Sequence, residues 1–151
     1  MQRSSRDLVE SFYRDVWNAK DEAVAREILS ETFRFKGSLG PVRTGRDAFL
    51  EYWRAVHAAL GGYHCEIVDL IATEGRAAAR MRFSGRHQGV FFGVAASGKP
   101  LAWDAAAFFA TDRSQIVELW VLGDIDGLKA QLGLGAGPCS QASGAGKANG
   151  I

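Results

Sequence analysis

The sequence predicts an α+β domain: a cone-shaped α+β barrel in which a strongly curved antiparallel sheet wraps around one long helix. Three observations lead there. Helical periodicity dominates up to Leu60, broken by a short alternating segment at Thr32–Lys36, and strand segments replace it from Tyr63 to Leu122. Gly85, Gly89 and Gly93 fall where long strands need bulges or tight bends. Helices followed by an antiparallel meander is an α+β order, and a bent sheet plugged by its helix keeps a hollow at the open end.

Each element follows from its residues. Leu8, Val9, Phe12, Val16 and Trp17 share one face of a helix from Ser5 to Ala19. Asp21 can cap a second helix carrying Val24, Ile28 and Leu29, and Thr32 to Lys36 alternates like a short half-buried strand. Thr44 and Asp47 have the spacing of a capping box for a third helix, with Phe49, Trp53, Val56 and Leu60 on one face and Gly61-Gly62 at its end. Tyr63 to Thr73 and Arg76 to Ser84 read as strands joined at Glu74-Gly75. Val90 to Val94 is a short apolar segment. Lys99 to Thr111 and Gln115 to Leu122 form a last hairpin, and a short helix over Ile125 to Leu132 closes the domain. The domain is expected to span 1–133. Residues 134–151 are rich in Gly, Ala and Ser, too poor in apolar side chains to offset the entropy of ordering, so a disordered tail is predicted.

The bulk numbers exclude several functions. A chain of 151 residues, 47% hydrophobic and 23% charged, suits one domain with a real core. A formal net charge of +1 gives no field to hold a phosphate backbone, so nucleic acid is not an expected partner. No apolar run reaches membrane-spanning length and no signal-peptide stretch precedes the first helix, which makes the cytoplasm the expected compartment. Cys65 and Cys139 supply neither a disulfide framework nor a zinc set, and Cys65 reads as a small buried strand residue.

The stretch Gly85-Arg86-His87-Gln88-Gly89-Val90-Phe91-Phe92-Gly93, then Ser97-Gly98-Lys99, Trp120 with Asp124, and Gln131-Leu132-Gly133, resembles the SnoaL-like polyketide cyclase family. That family is a branch of the nuclear-transport-factor-two-like superfamily of cone-shaped folds. Phe12-Tyr13 and Asn18 extend the likeness to the first helix. The resemblance implies a homodimer packed through the outer sheet faces, a pocket between sheet and helices for a small molecule, and neither metal nor organic cofactor. It also implies an intramolecular aldol cyclisation driven by an acid/base aspartate with a histidine nearby. In this chain those two positions fall at Val121 and Ala107, and a polar pocket position falls at Ala105. None of the three carries a titratable group, so that chemistry does not transfer directly.

If position 121 faces the hollow, alternation points Val117, Leu119 and Val121 inward, with Trp103, Ala105, Ala107 and Phe109 on the next strand and Ala79, Met81 and Phe83 beyond it. Trp17, Tyr52 and Trp53 join them from the helices. The expected pocket is therefore an aromatic cage of Trp17, Tyr52, Phe83, Trp103 and Phe109 opposite small residues at 105 and 107. A solidly packed core has the same periodicity. On the outer face Arg80, Arg82, Asp104 and Glu118 gather beside Phe108 and Trp120. They fit a cross-strand ion-pair network at a dimer surface; an acid/base triad is the other reading.

Two residues are candidates for proton transfer. His57, one helical turn beyond Trp53, could reach the hollow as a base, or simply sit at a helix surface. Asp124 could act as a carboxylate at the pocket mouth, or cap the last helix. His87 in the Gly-rich bend reads as a structural bonding group, and His64 as exposed. The function classes that remain are a cofactor-free cyclase, isomerase or hydrolase, and a non-catalytic binder of an apolar small molecule.

Overall fold

The computed structural model describes residues 2–134. The predicted disordered tail thus lies, but for Leu134, outside the described residues. The chain runs α1 (Ser5–Ser11), a π-helical segment (Phe12–Asn18), α2 (Glu22–Ile28), β1 (Leu29–Lys36), β2 (Val42–Thr44), α3 (Arg46–Ala59), β3 (Leu60–Thr73), β4 (Arg76–His87), β5 (Pro100–Asp112), β6 (Gln115–Gly123) and α4 (Ile125–Gln131). This is an α+β protein.

One six-stranded sheet holds the order β2-β1-β6-β5-β4-β3. The expectation of a purely antiparallel sheet is corrected here, because β1 pairs with β6 in parallel while every other neighbour is antiparallel. The local pattern of β1 marks it as a strand but says nothing about which edge it joins. Its parallel seat requires a long crossover, which α3 and the β3–β4–β5 meander provide.

Strand parity follows the alternation closely. On β4 the side chains of Ala77, Ala79, Met81 and Phe83 are buried, and on β5 those of Leu101, Trp103, Ala105, Ala107 and Phe109. β6 departs from it at its start. Ile116, not Val117, is buried, because the β5–β6 register shifts between Ala110 and Thr111 and restores its phase only by Leu119. A one-residue slip moves a side chain to the other face.

Three local readings also differ. The Thr44–Asp47 capping box does not form: Gly45 at φ 104° is the N-cap of α3, and Asp47 instead accepts from Arg26 at 3.1 Å. Gly61 and Gly62 lie inside β3, where pairing with β4 skips between Gly61 and His64, and do not follow the helix as a stop. Val90–Val94 holds only an isolated Phe91–Val94 bridge. There Phe91 is wholly buried, and His87 staples the excursion back to the sheet. The Ser97 N–H donates to His87 Nδ1 at 3.3 Å, so Nδ1 is an acceptor and also takes the Ser97 hydroxyl at 2.9 Å. Nε2–H then donates to the Val94 carbonyl at 3.1 Å, which gives this histidine the bonding role read for it. His64 is exposed.

The core gathers where the π-helical segment and α3 lie against the inner sheet face. Phe12, Phe33, Phe49 and Phe109 are fully buried there, in edge-on and tilted contacts with centroids 5.4–5.9 Å apart. Such geometry is the preferred aromatic packing. No helix among the described residues is long and apolar enough to cross a membrane.

Candidate functional site

The site begins in the widened helical turn. Phe12, Tyr13, Val16 and Trp17 are all buried in the π-helical segment, two adjacent pairs one turn apart. At its end Asn18 clamps the backbone of Cys65 in both directions, donating to the carbonyl at 2.9 Å and accepting from the N–H at 2.7 Å. That clamp fixes Trp17 against β3. From α3, Tyr52 reaches the same space, its ring 4.9 Å from that of Phe35 and 6.3 Å from that of Trp17.

Between these elements a cavity of about 30 Å³ remains. Trp17, Tyr52, Phe83, Trp103, Leu119 and Val121 lie along its wall. Trp53, Met81, Ala105, Ala107 and Phe109 are buried but do not line it. Trp53 is turned toward the first helix, donating from Nε1 to the Val16 carbonyl at 3.0 Å. Phe109 fills the space beneath Phe12 and Tyr13, 5.9 Å from each. The hollow thus occupies one end of the inner sheet face. Its other lining residues are Phe12, Tyr13, Phe35, Tyr63, Cys65 and the loop Gly37-Ser38-Leu39. Tyr13 was open to detection, since it precedes Trp17 by four residues on the same helical face. The loop residues carry no periodic signal.

Among the described residues no charged side chain lines the cavity. Burial pushes the phenols of Tyr13 and Tyr63 well above their ordinary values, and proximity to Cys65 and Tyr52 adds to this. Burial likewise raises Tyr52, against the guanidinium of Arg43 lying 5.1 Å over its ring. The Cys65 thiol is raised by burial, opposed by its hydrogen bond with Tyr63. Every titratable group of the lining is therefore neutral at pH 7. Two buried donors in this wall, Tyr13 Oη and Trp103 Nε1, have no hydrogen-bond partner among the described residues.

His57 and Asp124 stand outside this set. The His57 imidazole lies behind Trp17, wedged against Trp17, Trp53 and Tyr63 at centroid distances of 5.4, 5.2 and 6.1 Å. Neither ring nitrogen has a partner among the described residues, and burial, with a smaller push from Lys20, lowers its pKa to about 4. Asp124 is exposed and caps α4, accepting from the Gly127 N–H at 2.9 Å. Among the described residues no group of three or more His, Cys, Asp or Glu could hold a metal.

On the outer sheet face Arg82 pairs with Asp104 at 2.8 Å and Arg34 with Glu118 at 3.5 Å. Phe108, Trp120 and Leu122 are exposed beside them, with Phe108 and Trp120 in ring contact at 5.8 Å.

The model of the SnoaL-like polyketide cyclase family matches residues 7–132. Among solved structures, the chain is similar to TsrD from Streptomyces laurentii at 25% identity and TM-score 0.74, over 85% of this chain and 93% of that one. IdmH from Streptomyces antibioticus, named as a candidate polyketide cyclase, matches at 24% identity and TM-score 0.75, over 85% and 97%. A SnoaL-like polyketide cyclase from Agrobacterium tumefaciens matches at 18% and TM-score 0.73, over 86% and 98%. No curated protein matches the sequence significantly. The matched span takes in the π-helical segment, the sheet and α4, and on that ground the chain belongs to the SnoaL-like polyketide cyclase family with the nuclear-transport-factor-two-like fold.

Proposed function

We propose that this is a polyketide-cyclase-type protein whose sheet curves around α3 to enclose a pocket for a small, largely apolar cyclic or carbonyl-bearing molecule. The observation that carries the reading is the cavity wall itself. Among the described residues it combines eight aromatic side chains with no charged one, and its phenols and thiol are held neutral. A lining of that kind favours an uncharged ring over an ion, because burying an unpaired charge costs far more than burying a neutral polar group. The free space of about 30 Å³ suits one or two waters, so a ring enters when Leu39 and its loop give way.

In this reading Val121 and Ala107 stand where the family has its acid/base aspartate and the histidine near it, and no described lining residue replaces them. Asp124 is engaged as a cap and His57 is screened by Trp17, which favours a second reading: a binding protein that holds its ligand without turnover. The outer face, with Phe108, Trp120 and Leu122 beside two ion pairs, supports a homodimer through that surface, since aromatics and Arg are enriched at such interfaces.

The test is Val121→Phe, which fills the cavity from β6. Quenching of Trp17 and Trp103 fluorescence by an aromatic ketone should saturate in the wild type and vanish in this variant at unchanged secondary structure. Undiminished binding in Val121→Phe places the ligand elsewhere. Turnover lost in Asp124→Asn, with binding intact, selects the enzyme over the binder.

A further inference from the structure

We infer that Tyr13 Oη and Trp103 Nε1 are the pocket's recognition atoms, donating hydrogen bonds to the oxygen of an uncharged aromatic or cyclic ketone, and that Tyr13 polarises its carbonyl. The inference rests on the pocket reading above and deepens it.

Both residues are nearly sealed, Tyr13 at 2% and Trp103 at 3% exposure, and both line the cavity. Neither donor has a partner among the described residues. Protein interiors pair almost all buried polar atoms, and an unmet donor costs about 1–3 kcal/mol. Packing alone does not explain the two polar atoms. The Tyr13 ring makes edge contacts with Phe12 at 5.1 Å and Phe109 at 5.9 Å, which a phenylalanine ring makes equally well. Among the described residues that line the cavity, Tyr13 and Trp103 are the two that combine a fully buried side-chain donor with the lack of a partner.

The chemistry of the pair fixes the class of its partner. An indole N–H only donates, and burial keeps the Tyr13 phenol protonated, so both call for an acceptor. Among the described residues no lysine or arginine lines the cavity to offset the desolvation of a carboxylate, which leaves a neutral oxygen. Gly123 keeps the indole clear: a Cβ there meets Ser38 Oγ at 2.8 Å and Trp103 Nε1 at 3.3 Å. A hydrogen bond from a phenol strengthens as a carbonyl oxygen gains negative charge. With no base in the wall, Tyr13 polarises the ligand without removing a proton.

Three probes test this by titration calorimetry: 2-acetylnaphthalene, the isosteric hydrocarbon 2-isopropenylnaphthalene, and 2-naphthoate. The ketone should bind about tenfold more tightly than the hydrocarbon, and the carboxylate more weakly than either. Tyr13→Phe should erase most of the ketone's advantage, leave hydrocarbon affinity unchanged and return the bound carbonyl stretch to its apolar-solvent frequency. Trp103→Phe supplies the same comparison should Tyr13→Phe fold poorly. Equal ketone and hydrocarbon affinity in the wild type, or a preference intact in both variants, overturns the inference while the pocket reading stands. If no probe binds, the pocket reading falls and takes this inference with it.

Discussion

Acidification should unsettle the wall behind Trp17 before it affects the rest of the fold, and His57 is the reason. In the folded chain its pKa drops from the ordinary 6.5 to about 4, chiefly by burial and secondarily by the Lys20 ammonium. The unfolded chain therefore binds more protons than the folded one between those two values. Stability is complete above pH 6.5 and declines as pH falls toward 4, then levels off. At ~1.4 kcal/mol per pKa unit the full displacement sets a ceiling of roughly 3 kcal/mol. The ring is only partly buried, so solvent screening leaves about 1–2 kcal/mol. His57→Phe keeps an aromatic ring against Trp17, Trp53 and Tyr63 and removes the proton site. Urea unfolding of both proteins at several pH values between 7 and 4 isolates the effect, because carboxylates such as Asp15 and Glu22 contribute equally to each. The difference in unfolding free energy between them should change by about 1–2 kcal/mol across that window. A flat difference refutes the argument.

Other perturbations test the remaining parts. Asp124→Ala removes the cap on α4 and should cost about 1 kcal/mol by thermal denaturation, with Asp124→Asn close to wild type. Ala107→Phe inserts a ring at a fully buried site that does not line the cavity, so it should destabilise by about 1–3 kcal/mol in urea. Ala107, expected to face the aromatic cage across a pocket, is instead buried outside the cavity lining. His87→Ala removes the staple of the Phe91 excursion, and amide exchange at Ser97 and Gly98 should accelerate while β5 and β6 stay protected.

The sequence made visible whatever depends on side-chain period. Trp103, Ala105, Ala107 and Phe109 point inward as alternation requires, and so do Leu119 and Val121. Val117 escaped because a register shift leaves no mark on local hydrophobicity. The Thr44–Asp47 spacing failed as a cap because Arg26, distant in sequence, competes for the carboxylate. Strand direction was equally hidden, since β1 has the same pattern beside a parallel or antiparallel neighbour. The cavity shows the deepest limit. Its aromatic wall was readable in outline, but its small volume, and the missing partners of Tyr13 and Trp103, depend on how rings tilt against one another.

The parallel seat of β1 has a consequence for how the chain acquires its shape. Among the described residues, apart from the three-residue β2, the sole sheet neighbour of β1 is β6, made some eighty residues later. During synthesis from the N-terminus, Phe33 and Phe35 therefore wait without a sheet until the final hairpin emerges. A nascent chain stopped short of Gln115 presents a bare, apolar strand edge, which makes late truncations prone to aggregation and assigns completion of the fold to β6.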